Sequence, residues 1–448
     1  MHVNKKNNLW RRLPLWSRWL LLVAVIAILE RLLLLAFYPP VAYDDTASYR
    51  HLAETVLNHW NGYDGTRTPG YPIFLAWVGS DQRVYTMQLL LGLFITGVFF
   101  WIGWQSSGKV QFGAAAALGH TLNLGQLFFE ANLLTETLTT FWLALFALAV
   151  FEALRRPGQA RLAWALAGGL FGALAGLTRP LFFFVPFWAA LFLAVIFWRE
   201  GWRSRLSIFA APLLPGLIII GLWVGYIYTT YNMLSVTVMN GYHLVQHTGI
   251  FFEYVPDEDA ALRDTYLRYR AERIAQYGTQ GNTIWGAIPE LEKVTGLNFY
   301  DLSRKLARVS IDLIRAHPGL YARSVVDGWL LYWRAPVYWH SEAITSTDLR
   351  LALQSAIYGE RVLLGLGNGI FILASLLMLL WKQVRRWMRL NPFLWFIGIL
   401  IWLSSIAQTL PDHGDNPRFL IPLQSWVVFC VLWSLWAVRE YYQGRWTK

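Results

Sequence analysis

Charge and cysteine are what this sequence has least of. Of 448 residues only 15% are Asp, Glu, Lys or Arg, while 56% are hydrophobic and the mean hydropathy is +0.38. A soluble domain carries about 25% charged residues, and a chain of this length could not hide so much apolar surface from water. An integral membrane protein is the class that remains. The single cysteine, Cys430, sits inside an apolar run, so a disulfide framework, a CxxC or cysteine-rich metal site and haem-c attachment are excluded. No internal repeat suggests the inverted halves of many transporters. The net charge of +11 would point to nucleic acid in a soluble protein. In a membrane protein a basic excess marks the cytoplasmic loops instead, and no nucleic-acid partner is expected.

What is present is a series of about ten apolar runs, each near the 20 or so residues that a bilayer core requires. They are Leu15–Tyr38, Val84–Trp104, Phe112–Phe129, Thr137–Leu154, Leu162–Thr178, Leu181–Trp198, Ile208–Tyr228, Arg361–Trp381, Pro392–Leu410 and Phe419–Val438. The expected fold is therefore an all-α polytopic membrane protein forming one transmembrane domain over residues 1–448. The first run is too long for a cleavable signal peptide and lacks a small-residue cleavage site. Its mid-span Glu30 and Arg31 read as a neighbouring pair that neutralises itself.

Alternate connections hold about 19 of the 38 Lys and Arg residues, among them Lys5, Lys6, Arg11, Arg12, Arg155, Arg156, Arg161, Arg203, Arg205, Lys382, Arg385, Arg389, Arg439, Arg445 and Lys448. Of the acids they hold only Glu200 and Glu440. The positive-inside rule then places both termini in the cytoplasm. Two outer segments, residues 39–83 and residues 231–360, are too long to be simple connectors. Leu302, Leu306, Val309 and Leu313 recur at helical spacing and predict an amphipathic helix at the membrane surface. A second interfacial helix, "LYARSVVDGWLLYW", would set Trp329, Tyr332 and Trp333 in the headgroup zone.

Polar chemistry collects at the outer helix ends. Asp44 and Asp45 open the first outer loop, and Arg67 precedes the stiff turn "TPGYP". Glu130 and Glu136 flank the next outer turn, Arg179 lies in "LTRP", and "DHGDNPRF" holds Asp412, His413, Asp415 and Arg418. A partly desolvated carboxylate such as Asp45 is open to two readings: an N-cap for the helix that follows, or a general base toward a hydroxyl. A single interfacial arginine snorkels to lipid headgroups. Three of them beside several carboxylates make an anion site, since guanidinium suits phosphate in a poorly hydrated place. His413 is either a loop hydrogen-bonding residue or a metal ligand with Asp412 or Asp415. "GGLFGALAG" spaces small residues for close helix packing.

The loop "DDTASYRHLAETVLNHWNGYDGTRTPGYPIFLAW" resembles the first extracytoplasmic loop of the GT-C membrane glycosyltransferases. It is most similar to that of the bacterial relatives of protein O-mannosyltransferases (glycosyltransferase family 39) and of lipid A aminoarabinose transferases. The match rests on Asp45 with Tyr49 four residues on, and on Arg67 before Pro72; "LLTETL", "GLTRP", "IRAHPGLYAR" and "NPRFLIPL" follow in order. The resemblance implies a GT-C fold with interfacial helices in the first and fourth extracytoplasmic loops. It implies transfer of a sugar from a polyprenyl phosphate, such as undecaprenyl phosphate, to an extracytoplasmic lipid, glycan or protein acceptor hydroxyl with inversion.

By position, Asp45 would be the base, with Asp44 beside it as the other candidate. Arg67, Arg179 and Arg418 would hold the donor phosphate, and Tyr49, Glu136, His413 and Asp415 would contact substrate. No cofactor is implied as required, and no ligand cluster supports a divalent metal. A carbohydrate-binding module is not implied, because no large soluble C-terminal segment is present. The chief alternative is a membrane transporter or flippase of lipid-linked sugars, which would place polar residues or broken helices near mid-membrane. A non-catalytic envelope subunit would follow if Asp45 were only a cap.

Overall fold

The computed structural model describes residues 13–388, 391–414 and 416–443. The expected site residue Asp415 and the basic residues Lys5, Lys6, Arg11, Arg12, Arg389, Arg445 and Lys448 lie outside the described residues. The chain is all-helical, with α1 (Leu15–Phe37), α2 (Asp44–Leu57), α3 (Gly70–Val78), α4 (Asp81–Ser107), α5 (Val110–Thr121), α6 (Leu124–Ala131), α7 (Glu136–Arg155), α8 (Gly158–Thr178), α9 (Val185–Ile196) and α10 (Trp202–Tyr231). There follow α11 (Asn240–Thr248), α12 (Ala260–Tyr277), α13 (Thr283–Thr295), α14 (Phe299–Ala316), α15 (Pro318–Tyr332), α16 (Thr347–Leu380), α17 (Lys382–Met388), α18 (Pro392–Thr409), α19 (Asn416–Phe419) and α20 (Ile421–Tyr442).

Eight of these, α1, α4, α7, α8, α10, α16, α18 and α20, are long and apolar enough to cross a membrane. Two of the shorter runs behave differently. The run over 112–129 breaks at Asn123, whose side chain caps α6 by accepting from the Gln126 amide at 3.0 Å. The run over 181–198 begins as a 3₁₀ turn at Pro180–Phe184 and continues as α9. At 1.5 Å per residue, α5 alone reaches only about 18 Å, so α5 with α6, rather than one straight helix, fills that position.

Helices α4, α5, α7, α8, α9, α18 and α20 meet in an aromatic core that includes Phe99, Phe146, Phe182, Phe396 and Trp426. The small residues of α8 allow α10 to approach closely: a methyl group on Gly169 would collide with the backbone of Pro212. Outside this core, α1 and α16 expose rows of leucines, among them Leu29, Leu32, Leu363, Leu366 and Leu373. In water such a face would drive aggregation; lipid is its natural solvent.

The spans share one polarity. Their ends carrying Arg155, Arg156, Arg203, Arg205, Lys382 and Arg439 lie opposite the ends at which Glu136, Arg179 and Arg418 sit.

The loop over 231–360 builds a second core. Tyr242, Val245, Phe252, Tyr266, Leu291, Leu302, Leu306 and Leu313 pack together there. The apolar face of α14 therefore turns onto α11 and its neighbours and not onto headgroups. Trp329 and Trp333 likewise pack inward: the Trp329 Nε1 donates to Ser405 Oγ at 3.2 Å, and its ring stacks on Trp402. Tyr332 is fully buried. The mid-span charges also pair otherwise than expected. Arg31 reaches across to Glu130 at 2.5 Å and to Thr121 at 2.8 Å, while Glu30 accepts from Thr121 at 3.1 Å. Neighbours in a helix diverge by about 100°, so Glu30 and Arg31 cannot face one another.

Candidate active site

The start of α2 is pinned before any charge is placed. Tyr43 is extended, its amide donates to Thr46 Oγ1 at 2.9 Å, and Thr46 Oγ1 donates to the Leu133 carbonyl at 3.0 Å. Val41 also pairs with the 131–133 strand-like segment through two backbone bonds of 2.9 Å. The N-terminus of α2 is thereby held beside the N-terminus of α7. Asp44, Asp45 and Glu136 all fall in first helical turns, where the helix dipole favours negative charge. Asp45 is not the cap. Tyr43 and Thr46 close that end, and the Asp45 carboxylate is left for other partners.

Those partners are the arginines. Arg67 Nη2 donates to Asp45 Oδ1 at 2.6 Å, and Arg418 Nη1 donates to Oδ2 at 2.8 Å. Arg418 also bonds Glu136 through Nε, and Arg179 Nη1 donates to the same Glu136 oxygen at 3.1 Å. The result is a continuous chain, Arg67–Asp45–Arg418–Glu136–Arg179, drawn from five separate segments. Arg67 lies over the Tyr49 ring, its carbon 5.2 Å from the ring centre, and Arg179 lies 4.3 Å over Phe419.

The turn before α3 has a steric reason. A methyl group on Gly70 would sit 2.7 Å from the Leu177 carbonyl oxygen and the Thr178 amide. Only glycine lets α3 butt against the end of α8, which brings the Arg67 turn and Arg179 to the border of one cavity. Asp64 stiffens the approach by accepting from the Thr66 amide at 2.8 Å and hydroxyl at 2.7 Å.

Three guanidiniums face two carboxylates, so the cluster carries one surplus positive charge. Glu136 is fully buried and its second oxygen has no partner, and Arg67 Nε is likewise a buried, unpaired donor. Burial alone would raise the Asp45 carboxyl, but Arg67 and Arg418 more than offset it and hold it down at about 2.

Two cavities open on this cluster. One, of about 580 Å³, includes Tyr49 and Arg179 and has apolar walls from Leu181, Phe183, Phe184, Val236 and Leu244. The other, of about 730 Å³, includes Asp44, Asp64, Asn282, Trp285 and Tyr338. Asp45, Arg67, Arg418, His243 and Asp412 border both. Glu136 borders neither; it sits beneath Arg179 and Arg418 and orients them.

Of the residues singled out in the sequence, Asp45, Tyr49, Arg67, Arg179, Arg418 and Glu136 come together, with Asp44 at the edge of the larger cavity. His413 does not join them. Its ring packs edge-on against His247 at 5.5 Å and lines neither cavity. Burial lowers its proton affinity, against the opposing pull of Asp412 and Asp327.

His243 was not found by sequence reasoning. Its Nδ1 lies 3.2 Å from Asp412 Oδ2. Burial would raise the Asp412 carboxyl, yet His243 and the Gly414 amide together hold it below the ordinary range. Nothing in "NGYHLVQH" marks this histidine; its partner is far along the chain and only the fold joins them. Among the described residues no three His, Cys, Asp or Glu side chains gather to hold a metal ion.

No protein-family model and no curated protein matches the chain. Among solved structures the chain is similar to the crystal structure of ArnT from Cupriavidus metallidurans bound to undecaprenyl phosphate. The identity is 14%, with 91% of this chain and 77% of that chain covered and a TM-score of 0.39. To the apo state of the same protein it is similar at 13% identity, with 92% and 77% covered and a TM-score of 0.36.

Proposed function

We propose that this protein transfers a sugar from a polyprenyl-phosphate-linked donor to an acceptor hydroxyl at the extracytoplasmic face of the cell membrane. The observation that carries the reading is the Arg67–Asp45–Arg418–Glu136–Arg179 chain, set at the non-basic ends of the spans between an apolar and a more polar cavity. A phosphodiester brings one negative charge, which matches the surplus positive charge of the cluster. Its isoprenoid tail would stay in lipid, so the sugar would be presented where the long helices end.

The chemistry then needs few groups. The bond from the anomeric carbon to the phosphate oxygen breaks, its electron pair leaving with the phosphate, as the acceptor oxygen bonds the opposite face of that carbon. Charge grows on the departing phosphate, and fixed guanidiniums stabilise that charge in the transition state without reorganising. No general acid is required. The acceptor proton goes to Asp45. In the free protein Asp45 is a poor proton acceptor because Arg67 and Arg418 neutralise it. A donor phosphate competes for the same two guanidiniums, and as they turn to it the carboxylate loses counter-charge and gains proton affinity. Attack on the face of the anomeric carbon opposite the phosphate gives inversion, an outcome shared with inverting glycosidases only by analogy.

The test pairs cells with protein. Mass spectrometry of lipids and glycans from cells with and without the protein identifies the transferred sugar. Cells carrying Asp45→Asn should match cells lacking the protein, while the purified variant still binds undecaprenyl phosphate. Full turnover by Asp45→Asn would rule out the assigned base.

A further inference from the structure

The cavity of about 730 Å³ differs from its neighbour in what it offers beyond their shared border. Its own walls carry the carboxylates of Asp44 and Asp64, the amides of Gln246 and Asn282, and the ring of Trp285. One cation, Arg273, also lines it, but the Arg273 Nε is spent on the Gly281 carbonyl and its guanidinium lies 4.8 Å over the Tyr277 ring. The two residues are locked together: Gln246 Nε2 donates to Asn282 Oδ1 at 2.9 Å, and the Asn282 backbone N–H donates to Gln246 Oε1 at 3.0 Å. That leaves the Asn282 side-chain N–H groups as donors and the Asp44 carboxylate, exposed at the rim, as an acceptor.

Carboxylates that only accept, an amide that donates and an aromatic face form a surface for many hydroxyl groups on a flat, partly apolar ring. Away from Arg67 and Arg418 at the shared border and Arg273 in the wall, an anionic ligand would meet Asp44 and Asp64 as like charges. The cavity lies between α2 and the helices of the 231–360 loop, away from the long apolar spans, so its occupant comes from water.

We infer that this cavity is the acceptor subsite and that it takes an uncharged or amine-bearing saccharide rather than a phosphorylated one. The inference rests on the function proposed above, in which the apolar cavity and its arginines take the donor. The acceptor hydroxyl then enters at the shared border, where Asp45 and the His243–Asp412 pair stand. Discrimination by charge comes from Asp44 and Asp64, and ring stacking comes from Trp285.

The experiment uses the full-length protein in nanodiscs with undecaprenyl phosphate present, and saturation-transfer NMR with glucose, glucosamine and glucose 6-phosphate as one ring in three charge states. Glucose and glucosamine should receive saturation, and Trp285→Ala should weaken it about tenfold or more while undecaprenyl phosphate binding persists. Glucose 6-phosphate should receive none until Asp44→Lys reverses the charge at the exposed rim. Glucose 6-phosphate binding in the wild-type protein that Trp285→Ala removes would overturn the charge assignment. Absence of any sugar signal with undecaprenyl phosphate bound would overturn the subsite. Failure to bind undecaprenyl phosphate at all would instead overturn the proposed function, and this inference with it.

Discussion

Glu136 shows how a residue can organise a site without facing it. It is fully buried, it bonds Arg179 and Arg418 through one oxygen, and it borders neither cavity. Its position was legible because it lies at an outer helix end among the few charges gathered there; its role beneath the arginines was not, because depth is a property of packing. Arg67 is the half-buried counterpart that does face the site, bordering both cavities with its plane over Tyr49. A hydrogen bond to a charged group contributes about 1.5–3 kcal/mol. Arg67→Ala should therefore weaken undecaprenyl phosphate binding roughly tenfold or more, measured on the purified protein. Arg67→Lys should restore little of it, because a compact ammonium cannot reproduce the planar fork or its stacking on Tyr49. Equal affinity in either variant would remove Arg67 from the phosphate clamp.

At the scale of elements, the close join of α3 to α8 aligns the arginines. The "TPGYP" turn was readable as stiff, but the reason for its glycine appeared only when Gly70 was found against the Leu177 carbonyl. Gly70→Ala should push α3 outward and part Arg67 from Arg179. Misplacement of about 1 Å can cost as much as 10²-fold in a positioned site. Undecaprenyl phosphate binding by this variant should fall about tenfold or more, with the helical content of the protein retained. Unchanged binding would show that the join does not set the clamp.

The loop helices teach a related lesson. The spacing of Leu302, Leu306, Val309 and Leu313 correctly announced one apolar face, but periodicity cannot say whether lipid or protein covers it. Here α11 and its neighbours do. The same gap explains Arg31: sequence proximity suggested Glu30, and only the approach of α1 to α6 revealed Glu130.

The whole molecule separates charge by end. Basic residues crowd one set of helix termini, and the acid–arginine chain occupies the other. That separation was legible in the sequence because apolar runs are long and their flanks short, so each charge could be assigned to an end without knowing the packing. Length did not mark the two runs that proved irregular, over 112–129 and 181–198, since the shorter run over 162–178 lies in one continuous helix. The His243–Asp412 pair lay beyond reach because it joins a featureless loop to a distant turn. The proposed function, together with the positive-inside rule, requires the basic ends to be cytoplasmic and the cluster extracytoplasmic. Reporter fusions at Pro157 and near Tyr300 should accordingly report opposite sides of the membrane; a shared side would refute that orientation.

The proposed function turns on three arginines and Asp45 forming a site for a lipid-borne phosphate. Its most direct test is competition between undecaprenyl phosphate and undecaprenol, lipids with the same isoprenoid tail, for the purified wild-type protein in nanodiscs, read by native mass spectrometry. Preferential capture of the phosphate, lost when Arg67 and Arg418 are both changed to Ala, is the expected result. Equal capture of alcohol and phosphate would contradict it.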